Sequence, residues 1–342
     1  MYQLGFKVIF SNLLLLYIAA FRGGMELEMR KIAITGFKEE NRKIFEEKLP
    51  GWEIALSPNR ADIDKLAVGA EILLGWCGKE LVEKNPSLKW IQLLSAGVDY
   101  MPFDILKERG VYLTNASGVH ANSISESILG MMLGFSRKLF AIHKNQINGE
   151  WTGGIAGLTE IHGKTIGIIG TGAIGKETAR LAKAFNMRTI GMRRSGEPLE
   201  YIDVMYGADG LNKLLAESDY VVNIVPATKA TINMINDDAF KAMKNTAVYI
   251  TVGRGNTTDT DAIIRALNSG EIAAAGLDVV EPEPLPSDSP LWKMDNVFIG
   301  GHNAGGTDKY MERALEIFLA NLEDYLAGRK PGRNLVDMDL QY

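Results

Sequence analysis

The chain has 342 residues, 46% hydrophobic and 23% charged, which supplies enough apolar surface for two domain cores and excludes a disordered chain. Its formal net charge of -5 is spread without a basic block, so no nucleic-acid partner is expected and an anionic substrate needs locally placed cations. A single cysteine, Cys77, rules out an internal disulfide and thiolate clusters. The four histidines (His120, His143, His162 and His302) lack paired ligand spacing, so no metal is assigned, and a reducing cytosol is the expected compartment.

At the start, Lys7 precedes a nearly apolar run from Val8 to Phe21, too short to span a bilayer comfortably. A signal peptide or anchor is one reading. The favoured one is an upstream start codon, with Met25 or Met29 opening the mature chain, residues 1–28 outside the fold and no membrane partner. From Lys31 onward, apolar runs at Ile32 to Thr35, Ile72 to Gly75, Trp90 to Leu94 and Val111 to Thr114 read as strands. Helical spacing lies between them at Asn41 to Leu49 and Ala61 to Val68, and this alternation predicts a parallel sheet. A long helix is expected from about Ser125 to Lys138. A second series of strands follows at Thr165 to Ile169, Arg188 to Met192, Tyr220 to Val225, Ala247 to Val252, Gly276 to Val280 and Val297 to Gly300. The amphipathic run from Lys309 to Leu326 is expected to return to the first series.

Between the first two strands of the second series lies Gly170-Thr171-Gly172-Ala173-Ile174-Gly175, following a strand and opening a helix whose predicted apolar face is Ile174, Thr178, Leu181, Ala182 and Phe185. The first glycine permits the tight turn, the second lets the backbone approach a pyrophosphate, and the third lets helix pack on strand. A dinucleotide is therefore expected here. At the end of the next strand, where an acidic residue normally takes the ribose of NAD, stand Arg193 and Arg194, which favours NADP(H) while leaving NAD(H) possible. Two solvated surface arginines are the plainer alternative.

The predicted fold is α/β, with two Rossmann-like or flavodoxin-like domains, each a doubly wound parallel sheet, and a cleft between them. A substrate-binding domain is expected over residues 29–124 and 308–342, and an NAD(P)-binding domain over 125–307. Three features fall at carboxyl ends of predicted strands: Val252-Gly253-Arg254-Gly255, Asp278 to Pro284 with Glu283, and Gly301-His302-Asn303. An Arg, a Glu and a His at that edge would form an anion clamp beside a carboxylate-held proton donor. Singly they read as a surface cation, a turn carboxylate and a satisfied histidine; jointly, behind a dinucleotide loop, they favour a site.

With these landmarks, and with Ser95-Ala96-Gly97-Val98-Asp99, Gly118-Val119-His120-Ala121, Gly149-Glu150-Trp151 and Pro226-Ala227-Thr228, the chain resembles the D-isomer-specific 2-hydroxyacid dehydrogenases, the family of glyoxylate/hydroxypyruvate reductases and phosphoglycerate dehydrogenases. Two departures are Gly301, where the family commonly has proline, and Thr251, where asparagine is frequent. The resemblance implies a hydride transfer between nicotinamide and C2 of a small 2-oxo or 2-hydroxy acid. It implies that Arg254 holds the substrate carboxylate or carbonyl oxygen, backbone amides near Ala96 and Gly97 bind the carboxylate, His302 is the acid or base, and Glu283 braces it and favours the imidazolium. It places Pro226, Thr228, Thr231, Val252 and Asp278 against the cofactor and implies a homodimer through the cofactor domain. Formate oxidation is disfavoured by Glu283, where formate dehydrogenases carry glutamine. A phosphite-type dehydrogenase and a dinucleotide-sensing, corepressor-like binding protein share the trio and stay open.

Overall fold

Runs of β-branched and apolar residues buried on both faces make two all-parallel sheets in this computed structural model, which describes residues 29–98 and 100–339. The expectations for residues 1–28 and the Asp99 landmark fall outside the described residues. The contacts divide the chain into one unit of residues up to Ser117 together with Met311 onward, and a second of Gly118–Tyr310.

In the first unit, β1 (Lys31–Thr35), β2 (Glu53–Ser57), β3 (Ile72–Gly75), β4 (Trp90–Leu93) and β5 (Tyr112–Thr114) form a sheet in the order β2-β1-β3-β4-β5. Ile32, Ala33, Ile34, Ile72, Leu73 and Leu74 are fully buried. β2 was not among the expected strands: as an edge strand with no fully buried residue, it lacks the continuous apolar run of its neighbours. Asn41 to Leu49 becomes a 3-10 turn (Glu39–Asn41) leading into a helix at Arg42–Lys48, and Ala61 to Val68 shortens to a 3-10 turn (Arg60–Asp62) and a helix at Ile63–Leu66. The helix Tyr310–Leu326 belongs almost wholly to this unit, where Phe318 stacks on Trp90 with centroids 5.2 Å apart. Buried Asn321 donates to Gln92 Oε1 (3.1 Å) and to the Arg333 carbonyl (2.9 Å), tying that helix and the C-terminal segment to β4.

In the second unit, β6 (Thr165–Ile169), β7 (Arg188–Met192), β8 (Val204–Tyr206), β9 (Tyr220–Asn223), β10 (Val248–Thr251), β11 (Ala274–Leu277) and β12 (Val297–Ile299) run in the order β12-β11-β10-β9-β6-β7-β8. The chain winds outward from β6 to β8 and then returns to β9, so the winding reverses between β6 and β9, the position where doubly wound sheets take ligands. β8 is three half-buried edge residues without an apolar run, and was not expected. β11 ends at Leu277, not Val280: the Asp278 N–H still bonds the Thr251 carbonyl of β10 (3.0 Å), but its own carbonyl and carboxylate turn to the loop after β12. The long helix runs over Ala121–Ser136 and stops where Lys138 turns left-handed (φ 56°). The helix after the glycine turn, Ala173–Ala184, buries Gly175, Thr178, Ala179 and Ala182, whereas Phe185, expected on its apolar face, is 39% exposed. Small residues line that face because the helix lies close against its neighbours. No helix among the described residues is long and apolar enough to cross a membrane.

Candidate active site

The glycine turn sits directly beyond β6. Gly170 has φ +98°, a left-handed conformation that side chains rarely adopt, and a Cβ on Gly175 would lie 2.5 Å from the Gly170 carbonyl oxygen, so neither position accepts another residue without displacement. At Gly172, by contrast, a Cβ would meet nothing within 4 Å. The protein's own packing does not require glycine there, and a side chain would fill the space before the helix N-terminus. The backbone N–H groups of Gly172, Ala173 and Ile174 donate to no group among the described residues. These open donors, on a 12-residue helix whose positive end they share, fit the pyrophosphate of a dinucleotide. Thr171 is buried with its hydroxyl toward Met205 Sδ, and Ile174 is half-buried against the core below.

Arg193 and Arg194 follow β7 without a break. Arg193 is half-buried, opens a turn closed by the Gly196 N–H on its carbonyl (3.1 Å), and forms no ion pair among the described residues; Arg194 is exposed. Beyond β9, Pro226, Thr228 and Thr231 make one turn, in which Thr231 Oγ1 lies 2.6 Å from the Pro226 carbonyl and accepts the Thr228 N–H at 2.8 Å. Val252 is buried in the core, leaving its backbone as its means of meeting a cofactor.

Arg254, Glu283 and His302 all lie in loops at the carboxyl edge of this same sheet. His302 Nδ1 is 2.8 Å from Glu283 Oε1. An ionised carboxylate only accepts, so Nδ1 carries the hydrogen of this bond and Nε2 is the nitrogen left to exchange a proton. Both side chains reach solvent, 53% and 39% exposed. Arg254 is exposed, with Nη1 donating to the Gly253 carbonyl at 2.9 Å. Its loop fits closely between its neighbours: a Cβ on Gly253 would come within 2.5 Å of the Val225 carbonyl oxygen, and one on Gly255 within 1.8 Å of that of Val280. The loops after β9, β10 and β11 therefore touch backbone to backbone.

Two supports were not anticipated. Asp278, expected at the cofactor, is buried, with Oδ1 accepting the N–H groups of Asn303 (2.9 Å) and Ala304 (3.1 Å) while its carbonyl takes the His302 N–H at 2.6 Å. The loop it holds passes through two successive left-handed residues, Gly301 (φ +64°) and His302 (φ +61°). Proline, fixed near φ -65°, cannot occupy Gly301 in this conformation, which accounts for the departure from the family pattern. Second, Asn223, fully buried at the end of β9, donates to Tyr249 OH (3.0 Å) and Thr257 Oγ1 (2.9 Å), and Thr257 Oγ1 donates to the Arg254 carbonyl at 2.7 Å. Burial pushes the Tyr249 hydroxyl up from its ordinary pKa, keeping it a neutral member of this network. The available signal was a polar residue ending an apolar strand run, Asn223 after Tyr220-Val221-Val222.

In the first unit, the loop after β4 ties down its carbonyls: Ser95 O accepts from Ala116 N–H (2.9 Å), Ala96 O from Asn115 Nδ2 (2.9 Å) and Gly97 O from Ser95 Oγ (3.0 Å). The N–H groups of Ala96 and Gly97 donate to nothing among the described residues. Two neighbouring unpaired amides make a small anion-binding concavity.

A family model described as D-isomer specific 2-hydroxyacid dehydrogenase, NAD binding domain, matches residues 129–304. A glyoxylate reductase of Thermofilum pendens is 36% identical over 263 residues, 74% of this chain and 76% of that protein. A D-isomer specific 2-hydroxyacid dehydrogenase family protein from Aeromonas salmonicida has a similar structure, with a TM-score of 0.74 at 31% identity, over 91% of this chain and all of that one. The NADPH-dependent glyoxylate/hydroxypyruvate reductase of Sinorhizobium meliloti, solved with NADP and sulfate, gives a TM-score of 0.71 at 26% identity, over 92% of this chain and all of that one.

Proposed function

The chain belongs to the D-isomer specific 2-hydroxyacid dehydrogenase family, NAD(P)-dependent oxidoreductases acting on CH–OH groups, and from that premise we propose that it reduces a small 2-oxo acid of the glyoxylate or hydroxypyruvate kind, with NADPH preferred. The observation that carries this reading is the Glu283–His302 pair at 2.8 Å on the sheet edge that also bears the glycine turn. A nicotinamide dinucleotide held by the glycine turn through the N–H groups of Gly172, Ala173 and Ile174 would supply the hydride for C2. His302 delivers a proton from Nε2 to the substrate oxygen as negative charge develops there, and Glu283 holds the ring and opposes its positive charge. Arg254 stabilises the same oxygen or the carboxylate through its guanidinium, and the unpaired amides of Ala96 and Gly97 take the carboxylate.

NADPH preference rests on Arg193 and Arg194 standing where a carboxylate would repel a 2'-phosphate, and the Sinorhizobium relative is itself NADPH-dependent. Replacing Arg193 by Glu should shift the NADPH/NADH ratio of kcat/KM about tenfold or more toward NADH, since a charge-assisted pair becomes a repulsion. A homodimer through the Gly118–Tyr310 unit is supported by the helix Leu139–Ile147, which fully buries none of its residues, and by Ile147 and Trp151, 71% and 100% exposed. The deciding experiment follows NADPH oxidation with glyoxylate, hydroxypyruvate and longer 2-oxo acids. Tight NADPH binding without turnover of any of them would instead mark a dinucleotide sensor.

A further inference from the structure

At the carboxyl edge of the five-stranded sheet, beside the loop carrying Ala96 and Gly97, lies an open cavity of about 580 Å³ whose walls include Arg60, Asp64, Trp76, Cys77 and Tyr100. Trp76 follows β3 and is fixed in place: Gly36, left-handed at φ +87°, sits so close that a Cβ there would be 3.0 Å from Trp76 Cζ3. The Arg60 guanidinium lies over the indole, 5.2 Å from the ring centroid. Asn59 accepts the Ala61 N–H at 3.1 Å and so starts the short turn that presents Arg60. No carboxylate pairs with Arg60 among the described residues, although Asp64 lines the same cavity. Asp64 also acts on Cys77, whose thiol is pushed up to about 12 by burial, with help from that carboxylate. Tyr100 ties the cavity wall to the loop that carries the amide pair, its hydroxyl donating to Ser95 Oγ (2.8 Å), which in turn donates to the Gly97 carbonyl.

We propose that Arg60, held on the face of Trp76, selects 2-oxo acids carrying a second acidic group at the end remote from the keto carbon. This rests on the reductase reading given above, with the keto-acid carboxylate on the Ala96 and Gly97 amides. An unpaired guanidinium stacked on an aromatic face keeps its N–H edge for an oxyanion, and little ordering remains to be done when the anion arrives. Tyr100, which lines the cavity and bonds the amide-bearing loop, contributes a polar wall. Asp64, which lines the same cavity, brings a negative charge that opposes an incoming anion and so tempers the attraction of Arg60.

The experiment compares kcat/KM with NADPH for pairs matched in chain length, oxaloacetate against 2-oxobutyrate and 2-oxoglutarate against 2-oxovalerate, with glyoxylate as reference. The wild-type protein should prefer a diacid about tenfold or more over its matched monoacid, as a charge-assisted pair allows. Arg60→Gln should lower that ratio by a similar factor, chiefly through KM, Arg60→Lys should restore part of it, and Asp64→Asn should raise it. A ratio that Arg60→Gln leaves unmoved while glyoxylate is still reduced overturns this inference alone. Absence of turnover with every 2-oxo acid overturns the reductase reading and this one together.

Discussion

The carboxyl edges of the two sheets are built on opposite plans. On the seven-stranded sheet, ionisable side chains stand at the surface on loops whose backbones are fixed from below, by Asp278 under His302 and by Asn223 and Thr257 under Arg254. On the five-stranded sheet, the loop after β4 offers main-chain N–H groups, and side chains serve to occupy the competing carbonyls. Groups that must change protonation need a side chain and a rigid seat, whereas a carboxylate that keeps its charge can be held by backbone alone. Substitutions on the first edge should therefore fall mainly on kcat, and those on the second mainly on KM.

His302→Ala tests the first half most severely. It should lower kcat by roughly 10²–10⁴-fold, the usual worth of a positioned proton donor, with NADPH affinity by fluorescence titration unchanged. Retained turnover would remove His302 from the chemistry and collapse the contrast between the edges. Gly301→Pro, which restores the residue the family commonly carries, comes next. At φ +64° a proline does not fit, and the loop must give up the His302 N–H bond to the Asp278 carbonyl. A fall in kcat of about tenfold or more is expected, because small displacements of a reacting group are costly, again without loss of NADPH binding. A fully active Gly301→Pro enzyme would show that the left-handed pair is dispensable. Asn115→Ala addresses the second edge. It frees the Ala96 carbonyl and should raise KM for glyoxylate a few-fold with kcat nearly constant, as expected when a net hydrogen bond worth about 1 kcal/mol is lost from a ground-state contact.

The same contrast explains what the sequence made legible. The glycine turn and the Arg254, Glu283 and His302 loops each follow a strand by a few residues, so their spacing carried their position. Their supports join residues far apart in the chain, 34 positions for Asn223 and Thr257 and 25 for Asp278 and Asn303, and no local pattern announces such a bond. The glycine at 301 was visible as a departure, but its meaning, a left-handed backbone, is a property of the folded loop. Edge strands β2 and β8 escaped for a related reason: a strand with one open side needs no continuous apolar run, and the run was the signal. On the helix after the glycine turn, Thr178 and Ala182 are buried as the spacing predicts, whereas Phe185 is exposed and close packing adds two residues too small to register as apolar, Gly175 and Ala179.

The smallest effect separates stability from chemistry within the first unit. Glu71, 8% exposed, accepts both Arg30 Nε (2.9 Å) and Nη2 (2.6 Å) and the Tyr325 hydroxyl (2.6 Å), which bonds the Tyr310–Leu326 helix to the residue that precedes β3. Burial pushes its carboxyl pKa up, but the hydrogen bonds from Arg30 and Tyr325 outweigh that and hold it below its ordinary value. The stabilisation is therefore fully present above the unfolded carboxyl's pKa of about 4.3 and fades as pH falls through the lower folded value. Tyr325→Phe removes one donor to a charged acceptor, so it should cost about 1–2 kcal/mol at pH 7 in denaturant unfolding and progressively less below pH of about 4. Because Glu71 takes no part in the proposed chemistry, kcat and the diacid ratio should not follow this loss; a pH-independent penalty would mean that packing of the phenol ring, not the charged bond, joins helix to sheet.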